Sequence, residues 1–468
     1  MNLIKLFPLI LIFSIFSFST KAEHPEVAKF LSEYVQIPSV TGEEKEAAHF
    51  LADYLRDEGF EVKMLHDDPG SHNVAASLYP LEEGKPNVVF LSHIDVVPVS
   101  DEDLWKYPAY SGAIEEGKVW GRGAIDNKGM TVMQLFAMKE FMNNNDEELP
   151  FNVTLLAVSN EEKGGALGAG RVVDDYLDLL NPAVMLGEGG VGLQGLIGSY
   201  PDKVGYGVSI AQKRGLWLKL RAETKAAGHG SVPPDVYSNT QMIEALSRIK
   251  NRRQRIQFTP PVEIMFHEMG RIEGGVRGFF LRNITALRPF LSSTLKRDEL
   301  LRSIVTNTIT FSDISNPPTS PNQIPQWTTA TLDCRLLPGT STENFIAELQ
   351  EHIEGTDVEI EIIKETSPSM YTTPDELYYT LRESILENDP NGEVLPILFP
   401  ANNDNNYFRA RGIPVYGILP SELTMSQLES IHNVNERIEV RGLVNGTKIY
   451  KTFLKKLQED PPEQFGIY

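Results

Sequence analysis

Residues 151–165 read FNVTLLAVSNEEKGG, and the order of residue types in this stretch decides the architecture. The apolar run that closes on Leu155–Val158 is short and is followed at once by turn-forming residues, the pattern of a buried strand. Glu161 and Glu162 then stand at its carboxyl end, ahead of Gly164 and Gly165. Two like charges at the rim of a core repel and raise one another's pKa, so the pair needs a reason to be there. Similar segments lie nearby. NVVFLSHID (87–95) and PAVMLGEGG (182–190) are apolar strands that end in polar residues, and GMTVMQLFAMKEFM (129–142) is a helix. Upstream, TGEEKEAAHFLADYLRDEGF (41–60) opens with Thr41 and Glu44 at capping-box spacing and continues as an amphipathic helix. Strands alternating with helices predict an α/β fold, a mainly parallel sheet covered by helices on both faces.

Beyond residue 210 the period changes. GLWLKLRAE (215–223) and TTATLDCRLL (328–337) alternate with period two, as half-exposed antiparallel strands do. The helical stretches SNTQMIEALSRIK (238–250) and STENFIAELQEHIE (341–354) follow them, and DVEIEIIKE (357–365) supplies another strand. GIPVYGILP (412–420) then returns to the buried-strand pattern. The expected organisation is a leader at 1–22, a catalytic domain at 23–210 and 368–468, and a smaller α+β domain inserted at 211–367. Residues 251–325, with the basic patch KNRRQR (250–255) and the aromatic-rich RGFFLRNITALRPF (277–290), are the least readable part of the chain.

The first 22 residues form a class of their own. Lys5 precedes an uncharged apolar run from Leu6 to Phe18, and small residues end the stretch at Ala22. This predicts a secretory signal peptide cleaved near Ala22, hence a secreted or periplasmic protein. The run is too short and wrongly flanked for a stable membrane span. Removing the leader's two lysines leaves 41 basic residues against 64 acidic ones, about −23 formally. Such a polyanion is a poor partner for nucleic acid or an anionic membrane surface. Cys334 is the single cysteine, so an exported fold is held without internal disulfides. Its alternating setting reads as a buried thiol and not as a nucleophile.

Ligands of an open parallel sheet bind outside the carboxyl ends of its strands. The polar residues there make an inventory: His93 and Asp95, Asp126 ahead of a helix, Glu161 and Glu162, Glu188 between glycines, and His432 far downstream. Singly, Asp126 reads as a helix cap, Glu188 as a turn residue, His93 as a core histidine and His432 as a surface one. Together, two imidazoles and several carboxylates suit zinc, with cobalt or manganese as alternatives. Divalent cations would also relieve the crowding of the carboxylates.

FLSHIDVVPV, Trp105, GKVWGRGAIDNKG, NEEKGG, GEGG, AGHGSVP, DCRLLPG and HNVNERI follow one another in an order that resembles a single family. It is the di-zinc amidohydrolase family of acetylornithine deacetylase, succinyl-diaminopimelate desuccinylase, aminoacylase, glutamate carboxypeptidase and carboxypeptidase S, the wording lying nearest the aminoacylase and carboxypeptidase S branch. The resemblance implies that His93 and Glu188 bind one metal, Glu162 and His432 the other, and Asp126 bridges them. It implies that Asp95 orients His93, that Glu161 is the general base, and that the Asp126–Asn127 peptide is cis. The inserted domain would act as a lid and dimer contact, carrying His229 to the other subunit's metal site as an oxyanion donor. Asn322 and Asp404 would meet substrate, although TSPNQIP and ANNDNNYFR depart from the family's usual wording, while Arg335, in D-x-R on a strand, suits either a substrate carboxylate or a structural ion pair. The implied activity is hydrolysis of an amide in a small peptide or N-acyl amino acid. The alternative is a non-catalytic binding protein on the same fold, which an intact ligand set and base argue against.

Overall fold

The structure, a computed structural model, describes residues 24–465 apart from 146, 225–227 and 319. The leader therefore lies outside the described residues. Among the described residues fifteen strands run in chain order. They are β1 Glu61–Asp68, β2 Ser71–Ser77, β3 Asn87–His93, β4 Ile114–Glu115, β5 Lys118–Trp120, β6 Asn152–Val158, β7 Pro182–Gln194 and β8 Val204–Gln212. The remainder are β9 Arg214–Glu223, β10 Thr308–Ser315, β11 Trp327–Leu336, β12 Val358–Glu365, β13 Glu393–Phe399, β14 Val415–Glu422 and β15 Arg437–Glu439.

An eight-stranded sheet has the order β1-β2-β6-β3-β7-β14-β8-β13. Its middle, β6-β3-β7-β14, is parallel, as is the β8–β13 pair, while β1 and β2 join antiparallel at one edge. Both faces are covered, and the strands show it residue by residue. Val88 and Phe90 of β3 pack into the core beneath the helices Glu26–Val35, Lys45–Asp57, Lys128–Met142 and Val440–Glu459. Val89 and Leu91 point the other way, toward the helix Arg171–Leu180. A strand buried on both faces has no polar alternation, which is why these segments read as continuous apolar runs. Each fully buried side chain of this size contributes about 1.5–3 kcal/mol.

The second sheet, β10-β11-β9-β12, is antiparallel throughout. Leu216, Leu218 and Leu220 of β9 and Ala330, Leu332 and Cys334 of β11 face the helices Ser238–Asn251 and Thr342–His352. Period two in the sequence is here the alternation of a half-buried sheet. Cys334 is fully buried in this core, and burial pushes its thiol up to about 12. The unreadable segment 251–325 proves to hold the four helices Pro260–Glu273, Gly275–Arg282, Arg288–Arg297 and Glu299–Val305. They pack through Val262, Met265, Phe266 and Ile304 on Leu398 of β13 and Ala211 of β8.

Two local expectations fail. Thr41 and Glu44 make no capping box: the helix begins at Lys45 without a side-chain cap. Thr41 Oγ1 donates instead to Asp95 Oδ2 at 2.7 Å, and Glu44 accepts from the backbone N–H groups of Gly42 and Asn160. Nor does β7 stop at Glu188. It continues to Gln194 and pairs antiparallel with β8, leaving Glu188 inside the strand where the register with β14 shifts.

Candidate metal centre

The polar residues that end the apolar strands converge. His93 closes β3, and its Nε2 lies 2.9 Å from Asp126 Oδ1 and 3.4 Å from Glu188 Oε2. From the other side His432 Nε2 lies 3.1 Å from Asp126 Oδ2 and 3.1 Å from Glu162 Oε1. Asp126 thus turns one carboxylate oxygen toward each imidazole. Donor atoms of His93, Glu161 and Glu188 lie within 4.8 Å of one another, as do those of His93, Asp126 and Glu162.

Buried hydrogen bonds fix each member. His93 Nδ1 lies 2.9 Å from the Asp95 backbone oxygen and 3.5 Å from its carboxylate, so the Asp95 carbonyl is the nearer orienting group. A proton on Nδ1 leaves Nε2 free to bind a cation. The Asp95 carboxylate accepts from the backbone N–H groups of Glu161 and Glu162, at 3.0 and 3.1 Å. One residue therefore positions the histidine and both glutamates. Asn160, just before them, takes a left-handed backbone at φ 68, which turns the chain off the end of β6. Gly165 has φ 72, and a Cβ there would sit 1.9 Å from Asp404 Oδ1.

Asp126 is held from beneath by Glu436, which sequence reading missed. Its carboxylate, fully buried, accepts from the backbone N–H groups of Gly123, Ile125 and Asp126 and from Arg122 Nη1 at 2.8 Å. Asn127 donates to Glu188 Oε2 at 2.8 Å, and the Asp126–Asn127 peptide is cis. A charged residue inside the HNVNERI motif, four positions from His432, was the available signal for Glu436.

The electrostatics follow from crowding. Burial, then the charge of Glu188, pushes the Glu161 carboxyl well above the usual range. Burial also raises Glu162, although His432 opposes it. Hydrogen bonds to Asp126 and Glu162 lift His432 to about 10. Acids that repel in the absence of a cation, converging with two imidazoles, are the donor chemistry of a divalent-metal site.

A cleft of about 410 Å³ opens over this cluster. Its floor is Asp126, Glu161, Glu162, Glu188 and His432; Met130, Val191, Leu419, Ile431 and Phe399 make apolar walls; Trp217 and Arg335 reach in from the second sheet. Arg335 Nη2 also donates to Asp333 Oδ2 at 3.0 Å. The other two expected substrate residues do not line this cleft, although Asp404 borders a small cavity with His93, Glu161 and Glu188. Asp404 is 4% exposed beneath the Gly165 turn and does not line the cleft, because the close approach of Gly165 seals it in. Asn322 Nδ2 lies 2.9 Å from His229 Nε2 in an exposed loop pair outside the cleft lining.

With that geometry established, the model of Peptidase family M20/M25/M40 matches residues 89–456. The chain belongs to this family. It is 24% identical over 453 residues to the N-fatty-acyl-amino acid synthase/hydrolase of Mus musculus, covering 93% of this chain and 88% of the mouse protein. It is 25% identical over 396 residues to the probable carboxypeptidase S-like 2 of Dictyostelium discoideum, covering 81% and 73%. An M20 family metallo-carboxypeptidase from Sulfolobus solfataricus has the same fold, with a TM-score of 0.71 and 20% identity over 92% of this chain and 99% of that one. The protein is accordingly a metal-dependent peptidase or amidohydrolase, which disposes of the non-catalytic alternative.

Proposed function

We propose that the protein hydrolyses the amide bond of N-acyl amino acids that carry an apolar acyl group, releasing a carboxylic acid and an amino acid. The observation that carries this reading is the cleft. Apolar side chains line it together with the acidic floor, and the cation Arg335, also in the lining, stands 5.7 Å from the centre of the Trp217 ring. An acyl chain suits the walls, and the leaving amino acid's carboxylate suits Arg335. The similarity to an N-fatty-acyl-amino acid hydrolase supports the same substrate class.

His93 and Glu188 would hold one divalent ion, Glu162 and His432 a second, and Asp126 both, with zinc the metal best suited to these donors. Bound there, the pair would acidify water and polarise the scissile carbonyl. The remaining work belongs to the chain. Glu161, fixed through its backbone by Asp95, accepts the attacking water's proton and hands it to the leaving nitrogen. His229 then serves a second subunit. It lies outside its own cleft, in a loop between β9 and the helix Ser238–Asn251, and the sheet that contains β9 has an edge strand, β12, that exposes Ile362 and Ile363. Two such edges joined in a homodimer would carry each His229 toward the partner's site as a donor to the developing oxyanion. The leader assigns this chemistry to a secreted or periplasmic protein whose mature chain starts near Glu23.

A hydrolysis screen of the purified, zinc-loaded protein with mass-spectrometric detection tests the reading. N-decanoyl and N-acetyl phenylalanine should be compared with dipeptides bearing a free amino group. Faster turnover of the decanoyl compound is expected. Cleavage confined to the free-amine dipeptides would overturn the assignment.

A further inference from the structure

The short turn Glu161–Lys163 is held from more than one side. Two contacts come from the large sheet and its surroundings. The Asp95 carboxylate accepts from the backbone N–H groups of Glu161 and Glu162, and the Tyr407 hydroxyl donates to the Gly164 carbonyl at 2.7 Å. Another comes from the second sheet. Lys364, half-buried on β12, donates from Nζ to the Lys163 carbonyl. The ammonium lies so close to the turn that a Cβ on Gly164 would sit 2.9 Å from it.

A strand irregularity puts that lysine in place. β12 pairs antiparallel with β9, with Glu361 opposite Lys219 and Ile362 opposite Leu218, so a regular ladder would set Ile363 opposite Trp217. The register shifts there, and Lys364 takes the position instead. One extra residue in a strand re-aims the side chains that follow it, and such bulges are common beside active sites. Trp217 also pairs with Asp333 of β11, so Asp333, Trp217 and Lys364 stand in a row on the face of the second sheet away from its helices. The Lys364 ammonium and the Arg335 guanidinium each lie 5.7 Å from the centre of the Trp217 ring. Trp217 and Arg335 line the cleft, whereas Lys364 lies outside the lining and bonds the turn.

We propose that Lys364 is a positioning residue for the hydrolysis. It ties the row that carries Trp217 to the turn that carries Glu161, so the base is set relative to a substrate held under the second sheet. Lys364 touches neither substrate nor the reacting atoms; it acts through Glu161. A displacement of about 1 Å at a reacting group can cost about 10²-fold in rate, so a fixed turn matters. The proposal rests on Glu161 as the base of an amide hydrolase and not on the acyl group.

The test replaces the ammonium by a neutral stem of similar length, Lys364→Met, in the zinc-saturated protein. With any amide that the parent turns over, kcat should fall about 10-fold or more while KM changes little. In the Glu161→Gln background the same substitution should cost nothing further, because effects that pass through one residue are not additive. An equal loss in both backgrounds would overturn the proposal. So would a change confined to KM, which would make Lys364 a substrate contact. Amide hydrogen exchange supplies a readout without turnover. Exchange should quicken in Lys364→Met at Gly164 and Gly165, whose N–H groups donate to the Glu161 and Asn160 carbonyls, and stay unchanged in β9. Unchanged exchange at the turn, or faster exchange in β9 as well, would show that Lys364 supports only its own sheet and would overturn the proposal. If no amide is cleaved, the proposed function fails, and exchange still decides whether Lys364 holds the turn.

Discussion

The two imidazoles of the metal cluster are chemically alike and structurally opposite. His93 ends a strand in the middle of the large sheet and is 2% exposed, whereas the His432 side chain is 50% exposed on a loop. His93 has its second nitrogen held by the Asp95 carbonyl. His432 takes a left-handed backbone, φ 59, and so does Asn435 three residues on, φ 62. One half of the centre is therefore set by the sheet, the other by a strained loop that Glu436 anchors from below. Asp126 belongs to both halves, and that explains why its backbone receives a dedicated buried carboxylate.

The sharpest test of this division lies where the halves meet, at the adjacent glutamates. Glu161→Gln should cut turnover by at least the 10²–10⁴-fold of a general base, with metal content near normal. Glu162→Gln should instead lose metal from the His432 half, read by elemental analysis. Equal metal loss in both variants would break the division of labour. Next in size is the anchor. Glu436→Gln leaves Arg122 buried without its partner and weakens three backbone contacts, so a loss of about 3–5 kcal/mol in unfolding free energy is expected. Chemical denaturation measures it, and an unchanged midpoint would show that the loop is held by other contacts. A smaller difference should separate the two ions. The exposed half should surrender its metal first under graded chelation, giving two resolved steps in activity and metal content. A single step would mean that the centre behaves as one unit.

Legibility followed the same boundary. β3, β6 and β14 could be read because burial on both faces leaves an unbroken apolar run, and β9 and β11 because burial on one face leaves an alternation. The cluster residues could be found because strand ends and motif order pointed to them. Thr41, Glu44 and Glu436 could not. Their roles are hydrogen bonds to backbone or carboxylate groups far away in sequence, and Thr41 with Glu44 imitates a local capping pattern. The burial of Asp404 was illegible for the converse reason, since a carboxylate near a motif gives no hint that a glycine turn will cover it. In 251–325 the helices Gly275–Arg282 and Arg288–Arg297 escaped notice because they are short and leave Val276, Phe279, Phe280 and Phe290 exposed, which erases the one-sided periodicity of an ordinary surface helix.

The smallest expected effect concerns the exposed imidazole in the metal-free protein. Hydrogen bonds to Asp126 and Glu162 raise His432 from the ordinary histidine value of 6.5 to about 10. Its folded-state pKa thus lies above its unfolded one, and the native state binds the proton more tightly. The resulting stability is fully present below about pH 6.5 and is lost as pH rises through about 10. Solvent screens a half-exposed pair, so the contribution stays modest. Melting temperatures of the metal-free protein should fall gently across that window, and His432→Asn should flatten the fall. Metal reverses the sign, because a cation binds only the deprotonated ring and its uptake releases the proton. The metal-loaded protein should therefore gain relative stability over the same range. If the free and loaded proteins show parallel pH profiles, His432 is not exchanging a proton for a metal, and the exposed half of the centre must be built from other donors.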